Sequence, residues 1–330
     1  MRPVYRLALL FLFVFTGTVQ AEEPKKVVFI RYPIAPNGFA TVVSSFKSTM
    51  QARGYVDGKN IVYVDVLTST ADRFSVPEVR ATVDAHRATA DMFITCGWVS
   101  LYARDLLRSS DVAQLFVPVL RSVALKMLDS LTRPPGTNLS GVYLMYPPEK
   151  ILRLTRLILP DLERYGYVYD SRIPADMVFK AAYEALSEAN RYGIELVFVD
   201  LARGVPGALR ALQENRVQAY GGIVGAFQHR RELAASGLPV ITSFTLDIER
   251  EEIDRYVRQS NVVAGLFNSF AYCGSQAAEM TADIFDSGKT IQETIPRPSR
   301  QTAFINLVAA SRLGLTISFD ALEAVDMVVR

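Results

Sequence analysis

The sequence predicts an α/β protein of two Rossmann-like lobes, each built on its own open, mostly parallel sheet. Three observations lead there. Short apolar strands alternate with amphipathic helices along most of the chain, the pattern that right-handed βαβ units and parallel sheets produce. A run of turn formers at 133–138 (RPPGTN) separates two such series. The 309 residues that follow an amino-terminal leader are many for one core and comfortable for two.

The leader, residues 1–21, has the three parts of a cleaved secretory signal. Arg2 and Arg6 supply its positive end, and residues 7–15 (LALLFLFVF) are unbroken and apolar. Nine residues are too few to cross a hydrocarbon core of roughly 30 Å as a helix. Val19 and Ala21 stand at −3 and −1, which places cleavage after Ala21. No cysteine stands near that point, so no lipid anchor is expected, and no later run approaches the roughly 18 apolar residues of a membrane helix. Cleavage removes two of the 36 basic residues and none of the 34 acidic ones. The mature chain is then near neutral, which argues against nucleic acid or an anionic membrane as partner. His86 and His229 are isolated, so no metal site is expected. Two cysteines, Cys96 and Cys273, are too few for a disulfide-stapled scaffold.

The first series opens with an apolar strand at 27–32 and a Pro/Asn/Gly loop at 33–38. A helix over 39–53 puts Phe39, Val42, Val43, Phe46 and Met50 on one face, and Gly54 stops it. A strand at 61–66, a helix at 76–88 and a strand at 92–95 follow. Cys96-Gly97 then leads into the helix that holds Trp98, Leu101 and Leu106, and 115–120 is a fourth strand. The second series begins near Pro147 with a helix at 149–159 and a strand at 165–169. A long helix at 174–192 closes at Gly193, followed by strand 194–199, helix 207–215, strand 219–224, helix 227–235 and strand 239–243. No short-period repeat appears, which excludes a solenoid.

Four segments in order carry a family resemblance. Residues 53–61 (RGYVDGKNI), 131–142 (LTRPPGTNLSGV), 274–280 with 286–288 (GSQAAEM, DSG) and 304–315 (FINLVAASRLGL) resemble signature stretches of ABC-transporter substrate-binding proteins of the tryptophan/tyrosine-binding type. Each alone is ordinary turn or helix-cap chemistry. The resemblance implies a periplasmic binding protein of the first structural type, with ligand held between lobes joined by three chain crossings. Crossings near 143–148, 261–267 and 296–302 suit this sequence. They imply an N-terminal lobe of 22–146 plus 264–297 and a C-terminal lobe of 147–263 plus 298–330.

In open parallel sheets ligands collect beyond the carboxyl ends of strands. That rule selects Arg31, Tyr32, Asn37, Gly97, Trp98, Arg121 and Ser122 in the first lobe, and Asp170, Arg172, Gly222 and Phe244 in the second. Tyr272 joins them on the helix that the resemblance returns to the first lobe. Arg31, Arg121 and Arg172 suit a carboxylate, which an arginine fork holds through two charge-assisted bonds; salt bridges to neighbours such as Asp170 are the alternative. Tyr32, Trp98, Phe244 and Tyr272 offer stacking surfaces, with core packing as the alternative. Helix starts near Trp98 and Pro174 offer N–H groups to an anion. Cys96 and Cys273 fall in the same lobe by this placement, where a bridge and two buried thiols are both open.

The sequence departs from the family after the fourth strand, where an Asp-Pro pair is replaced by Arg121-Ser122. That change removes the obvious partner of an amino group and points away from a standard aromatic amino acid. Catalysis is not expected. The chain has no G-x-S-x-G elbow, H-E-x-x-H helix or Walker loop, residues 221–225 (GGIVG) lack the G-x-G-x-x-G spacing, and Glu251-Glu252 lie in a charged stretch at 247–255. The expectation is a monomeric periplasmic receptor without cofactor. It delivers a small molecule to an ABC permease or, alternatively, docks when closed on a membrane histidine kinase or cyclase.

Overall fold

A computed structural model describes residues 23–33, 36–69, 76–246, 253, 257–258 and 260–330. Residues 1–21, expected as a secretory leader cleaved after Ala21, and Glu251-Glu252 lie outside the described residues. Thirteen strands are described: β1 (Lys25–Arg31), β2 (Ile61–Leu67), β3 (Met92–Cys96), β4 (Ala113–Leu120), β5 (Leu139–Leu144), β6 (Arg164–Tyr169), β7 (Glu195–Asp200), β8 (Ala219–Gly221), β9 (Val240–Leu246), β10 (Val262–Ser269), β11 (Arg297–Pro298), β12 (Gln301–Asn306) and β13 (Met327–Val329). They form two sheets, of order β11-β5-β4-β3-β1-β2 and β13-β12-β10-β9-β8-β6-β7. Every pairing in the first sheet is parallel, and in the second only β10 and β12 run antiparallel.

The first sheet is covered on both faces, as parallel sheets are. Helices α1 (Pro36–Ala52), α2 (Val76–His86), α3 (Val99–Leu107) and α4 (Arg121–Met127) belong to it. In β1 the side chains alternate between two cores. Val27 and Phe29 pack with Val42, Phe46 and Met50 of α1, while Val28 and Ile30 pack with Val79 and Val83 of α2. The second sheet carries α5 (Pro148–Ile158), α6 (Pro174–Glu184), α7 (Val205–Glu214) and the short turns α8 (Gly225–Gln228) and α9 (Arg230–Leu233). Helix α10 (Phe270–Ser287) then returns to pack along α1, and α11 (Leu307–Arg312) and α12 (Phe319–Glu323) close the chain in the second lobe. Glycine makes the return intimate. A Cβ on Gly274 would stand 2.3 Å from the Val42 carbonyl oxygen, so the two helix backbones touch there.

Four details differ from the sequence reading. The turn-rich run at 133–138 is not the break between lobes, because β5 follows it and pairs with β4 in the first sheet. Residues 261–267, expected as a crossing, fall almost wholly within β10 (Val262–Ser269), which pairs with β9 and β12 in the second sheet. By sheet membership the crossing into α10 therefore falls after Ser269. The helix expected over 174–192 ends at Glu184, and a 3₁₀ turn (Glu188–Arg191) follows. Arg191 reaches back with Nε to the Leu186 carbonyl (3.1 Å) and Nη2 to that of Glu184 (3.2 Å), satisfying acceptors an unbroken helix would have used. Finally, Arg121 opens α4, which the apolar pattern did not reveal.

The chain passes between sheets at the carboxyl ends of β5, β10 and β11. Side chains stitch these crossings together. The Asn268 Nδ2 and Gln301 Nε2 both donate to the Met145 carbonyl, at 3.2 and 2.6 Å. Ser299 donates its hydroxyl to Asn268 Oδ1 (2.5 Å) and its N–H to the Tyr143 carbonyl (2.7 Å). The strand ends of both sheets therefore lie on the side where the lobes are joined.

Candidate functional site

The first-lobe wall is built by the ends of β1, β3 and β4. Tyr32 donates its N–H to the Cys96 carbonyl, 3.1 Å away, which ties the β1 end to the β3 end. Gly97 follows at φ +80°, a conformation glycine adopts without a Cβ penalty. A Cβ there would also meet the Phe39 ring at 3.0 Å and Tyr32 Cβ at 3.2 Å. Gly38 plays a similar part at the start of α1, lying against the Phe270 ring, which stands edge-on to Phe39 at 5.6 Å. Trp98 is half-buried beside α4, and the Lys126 ammonium lies 5.8 Å from its ring centroid. Asn37 is exposed, and Ser122 and Tyr272 are half-buried, with Tyr272 N–H held by the Ser269 hydroxyl.

The three arginines have different fates. Arg31 forms a fork with Asp65 of the neighbouring β2, Nε–Oδ1 2.7 Å and Nη2–Oδ2 3.1 Å. Arg172 forms another with Asp170, Nε–Oδ1 2.9 Å and Nη2–Oδ2 2.6 Å, and its backbone N–H joins at 2.9 Å. These bonds from Arg172 hold the Asp170 carboxyl below its ordinary range. Arg121 is exposed at the end of β4 and has no ion-pair partner among the described residues.

The second-lobe wall places several expected residues in supporting positions. Phe244 is a correction: it is buried, at 5 % exposure, in a ring cluster with Phe227, Phe267 and Phe304. Its face of β9 turns into the core because β9 is an interior strand. Gly222 is pinned by Thr242, whose hydroxyl donates to its carbonyl (2.7 Å) and accepts its N–H (3.1 Å). A Cβ on Gly222 would stand 2.1 Å from the Val168 carbonyl oxygen, so the residue serves close packing. The start of α6 near Pro174 carries its own anion, the Asp176 carboxylate in its first turn.

Both cysteines are free and fully buried in the core between the first sheet, α1 and α10. Burial pushes the Cys273 thiol up to about 12, and it pushes Cys96 up as well. A chromogenic aromatic disulfide at neutral pH is expected to find no reactive thiol in the native protein and two after unfolding in guanidinium. A native reaction would contradict the burial, and no reaction after unfolding would reveal a bridge.

Solved structures share this two-sheet arrangement. The ABC domain in complex with L-Trp from Streptococcus pneumonia is 15% identical, with a TM-score of 0.70 over 93% of this chain and 100% of that one. A ligand-free, open substrate binding protein with adhesive properties from Clostridium difficile is 16% identical, with a TM-score of 0.71 over 92% and 99%. The periplasmic binding protein type 1 from Bordetella pertussis Tohama I is 13% identical, with a TM-score of 0.57 over 86% and 96%. The chain has the type 1 periplasmic binding protein fold. No protein-family model and no curated protein matches the sequence.

Within this type 1 binding fold, sequence reasoning passed over two carboxylates at the second-lobe strand ends. Asp200 accepts the N–H groups of Ala202 (2.9 Å) and Ser171 (3.1 Å), which closes the end of β7 onto the loop after β6. Asp176 is fully buried and accepts three backbone N–H groups. The signal for Asp176 was present: an acid in the first turn after Pro174 is a helix-start pattern. Its partners, Val224 and Gly225, lie 48 and 49 residues away and had no such signal.

Proposed function

We propose that this chain is an exported, monomeric solute-binding protein of the periplasm. It captures a small carboxylate-bearing ligand between two closing lobes and delivers it to an ABC permease. The fold supports binding between lobes, because both sets of parallel strand ends gather beside the crossings. The observation that carries the ligand class is the state of the arginines. Arg31 and Arg172 are spent on Asp65 and Asp170, whereas Arg121 stands exposed at the end of β4 with no ion-pair partner among the described residues. An exposed guanidinium fork at the end of β4, the strand paired with the β3 that leads to Trp98, is a ready seat for a carboxylate that carries an apolar or planar group. Asn37, Ser122, Tyr32 and Tyr272 line the same wall and complete the first-lobe side of the site.

The test is a thermal-shift screen of amino acids, organic acids, purines and sugars on the protein lacking residues 1–21. A ligand at 100 times its Kd adds about 2.7 kcal/mol of stability. Organic acids or amino acids are expected to raise the melting temperature, and uncharged sugars are not. A shift with sugars alone overturns the carboxylate assignment, and no shift with any class overturns the binding role.

A further inference from the structure

We propose that Asp176 is the positioning residue of the second-lobe wall: one buried carboxylate gathers the backbone of two strand-end loops and holds that wall preformed before any ligand arrives. The proposal rests on the reading of the cleft as a ligand site. Asp176 Oδ2 accepts the N–H groups of Asp170 (2.9 Å) and Gly225 (2.9 Å), and Oδ1 accepts that of Val224 (3.0 Å). None of the three donors belongs to α6, the helix that carries the residue. The carboxylate is therefore a clasp between loops and not a cap of its own helix. Thr242 extends the clasp, because its hydroxyl binds both the N–H and the carbonyl of Gly222. Two buried side chains thus join the carboxyl ends of β6 and β8 to each other and to the body of β9.

The chemistry asks for a carboxylate. Three N–H groups converge on two acceptor oxygens, and an amide has only one. In Asp176→Asn the new NH₂ faces at least one of the donors, and in Asp176→Ala all three lose their acceptor. Space is equally specified, since a Cβ on Gly225 would stand 2.8 Å from Asp176 Oδ2. Burial raises the Asp176 pKa, against the pull of the three N–H donors and with a further push from the Asp170 charge. The other titratable or charged groups around the clasp are Tyr167, Arg172, Asp200 and His229.

The experiment uses the unliganded protein lacking residues 1–21, followed by amide hydrogen exchange and by ¹H–¹⁵N spectra across an acid titration. In the wild type the Asp170, Val224 and Gly225 amides are expected to be protected. Their proton shifts are expected to move together with one midpoint, above the ordinary aspartate range. Asp176→Asn should abolish that shared titration, while His229→Gln should keep it. Asp176→Ala should speed exchange at Val224 and Gly225 by about 10-fold, with protection in the first sheet unchanged. Unprotected amides in the wild type, separate midpoints, or exchange unchanged in Asp176→Ala would each overturn the proposal. Should Asp176→Ala unfold, the wild-type titration and its loss in Asp176→Asn still decide the matter. None of these readings needs a ligand, so a thermal-shift screen without a hit would remove the binding role and leave the clasp standing.

Discussion

Gly274→Val is expected to lower stability by about 3 kcal/mol, because the branched side chain is driven into backbone and not into a neighbour that can rotate away. The nearest atom to a Cβ at this position is the Val42 carbonyl oxygen at 2.3 Å, followed by Val42 C and Cα at 3.0 Å. Helices α1 and α10 would have to separate. The separation would pull on Gly38 and Phe39, which pack on Phe270 at the cleft end of the same helix pair. Chemical denaturation followed by circular dichroism reads the loss as a lower midpoint with an unchanged slope. Gly207→Ala is the control, since a methyl there meets only Arg203 Cβ at 3.5 Å, an ordinary contact, near the start of α7. Equal midpoints for wild type and Gly274→Val would refute the account of close helix contact.

Arg121→Ala is expected to weaken binding of a carboxylate ligand by about 10- to 150-fold, the worth of a hydrogen bond to a charged group. The same change should leave the melting temperature of the unliganded protein where it was, because the side chain is exposed and makes no ion pair among the described residues. Arg121→Lys keeps the charge and loses the planar fork, so an intermediate affinity is expected. Calorimetric titration with whichever carboxylate responds in the screen measures all three proteins. An unchanged affinity in Arg121→Ala would shift the anion seat elsewhere on the wall.

The alternation of strands and helices was plain in the sequence because each element is short, buried on a recognisable face and punctuated by glycine or proline. β5 escaped because Asn138, Ser140 and Gly141 read as turn formers. In the fold, Gly141 is there for space: a Cβ would lie 2.2 Å from the Phe116 carbonyl oxygen of the neighbouring strand. β10 escaped for another reason. Its pairing with β12, about 35 residues later, is antiparallel and leaves no local period to mark which sheet it joins. The candidate site was legible in outline, since the strand-end rule selected Arg31, Arg121 and Arg172 together. Which of them keeps a free fork was not legible. The partner of Arg31 is 34 residues away and is brought alongside only by the β1–β2 register, whereas the Asp170–Arg172 pair is two residues apart and was foreseen as an alternative.

Trp98 is the chain's single tryptophan, and it sits in the candidate cleft wall between Gly97 and the Lys126 ammonium. All indole emission of this protein therefore originates at one point of the proposed ligand-facing wall. A change in hydration, in the nearby ammonium or in the approach of the opposite lobe alters the colour or yield of that light. On the proposed function, that residue is an unlabelled optical gauge of cleft occupancy, readable on a millisecond timescale by rapid mixing.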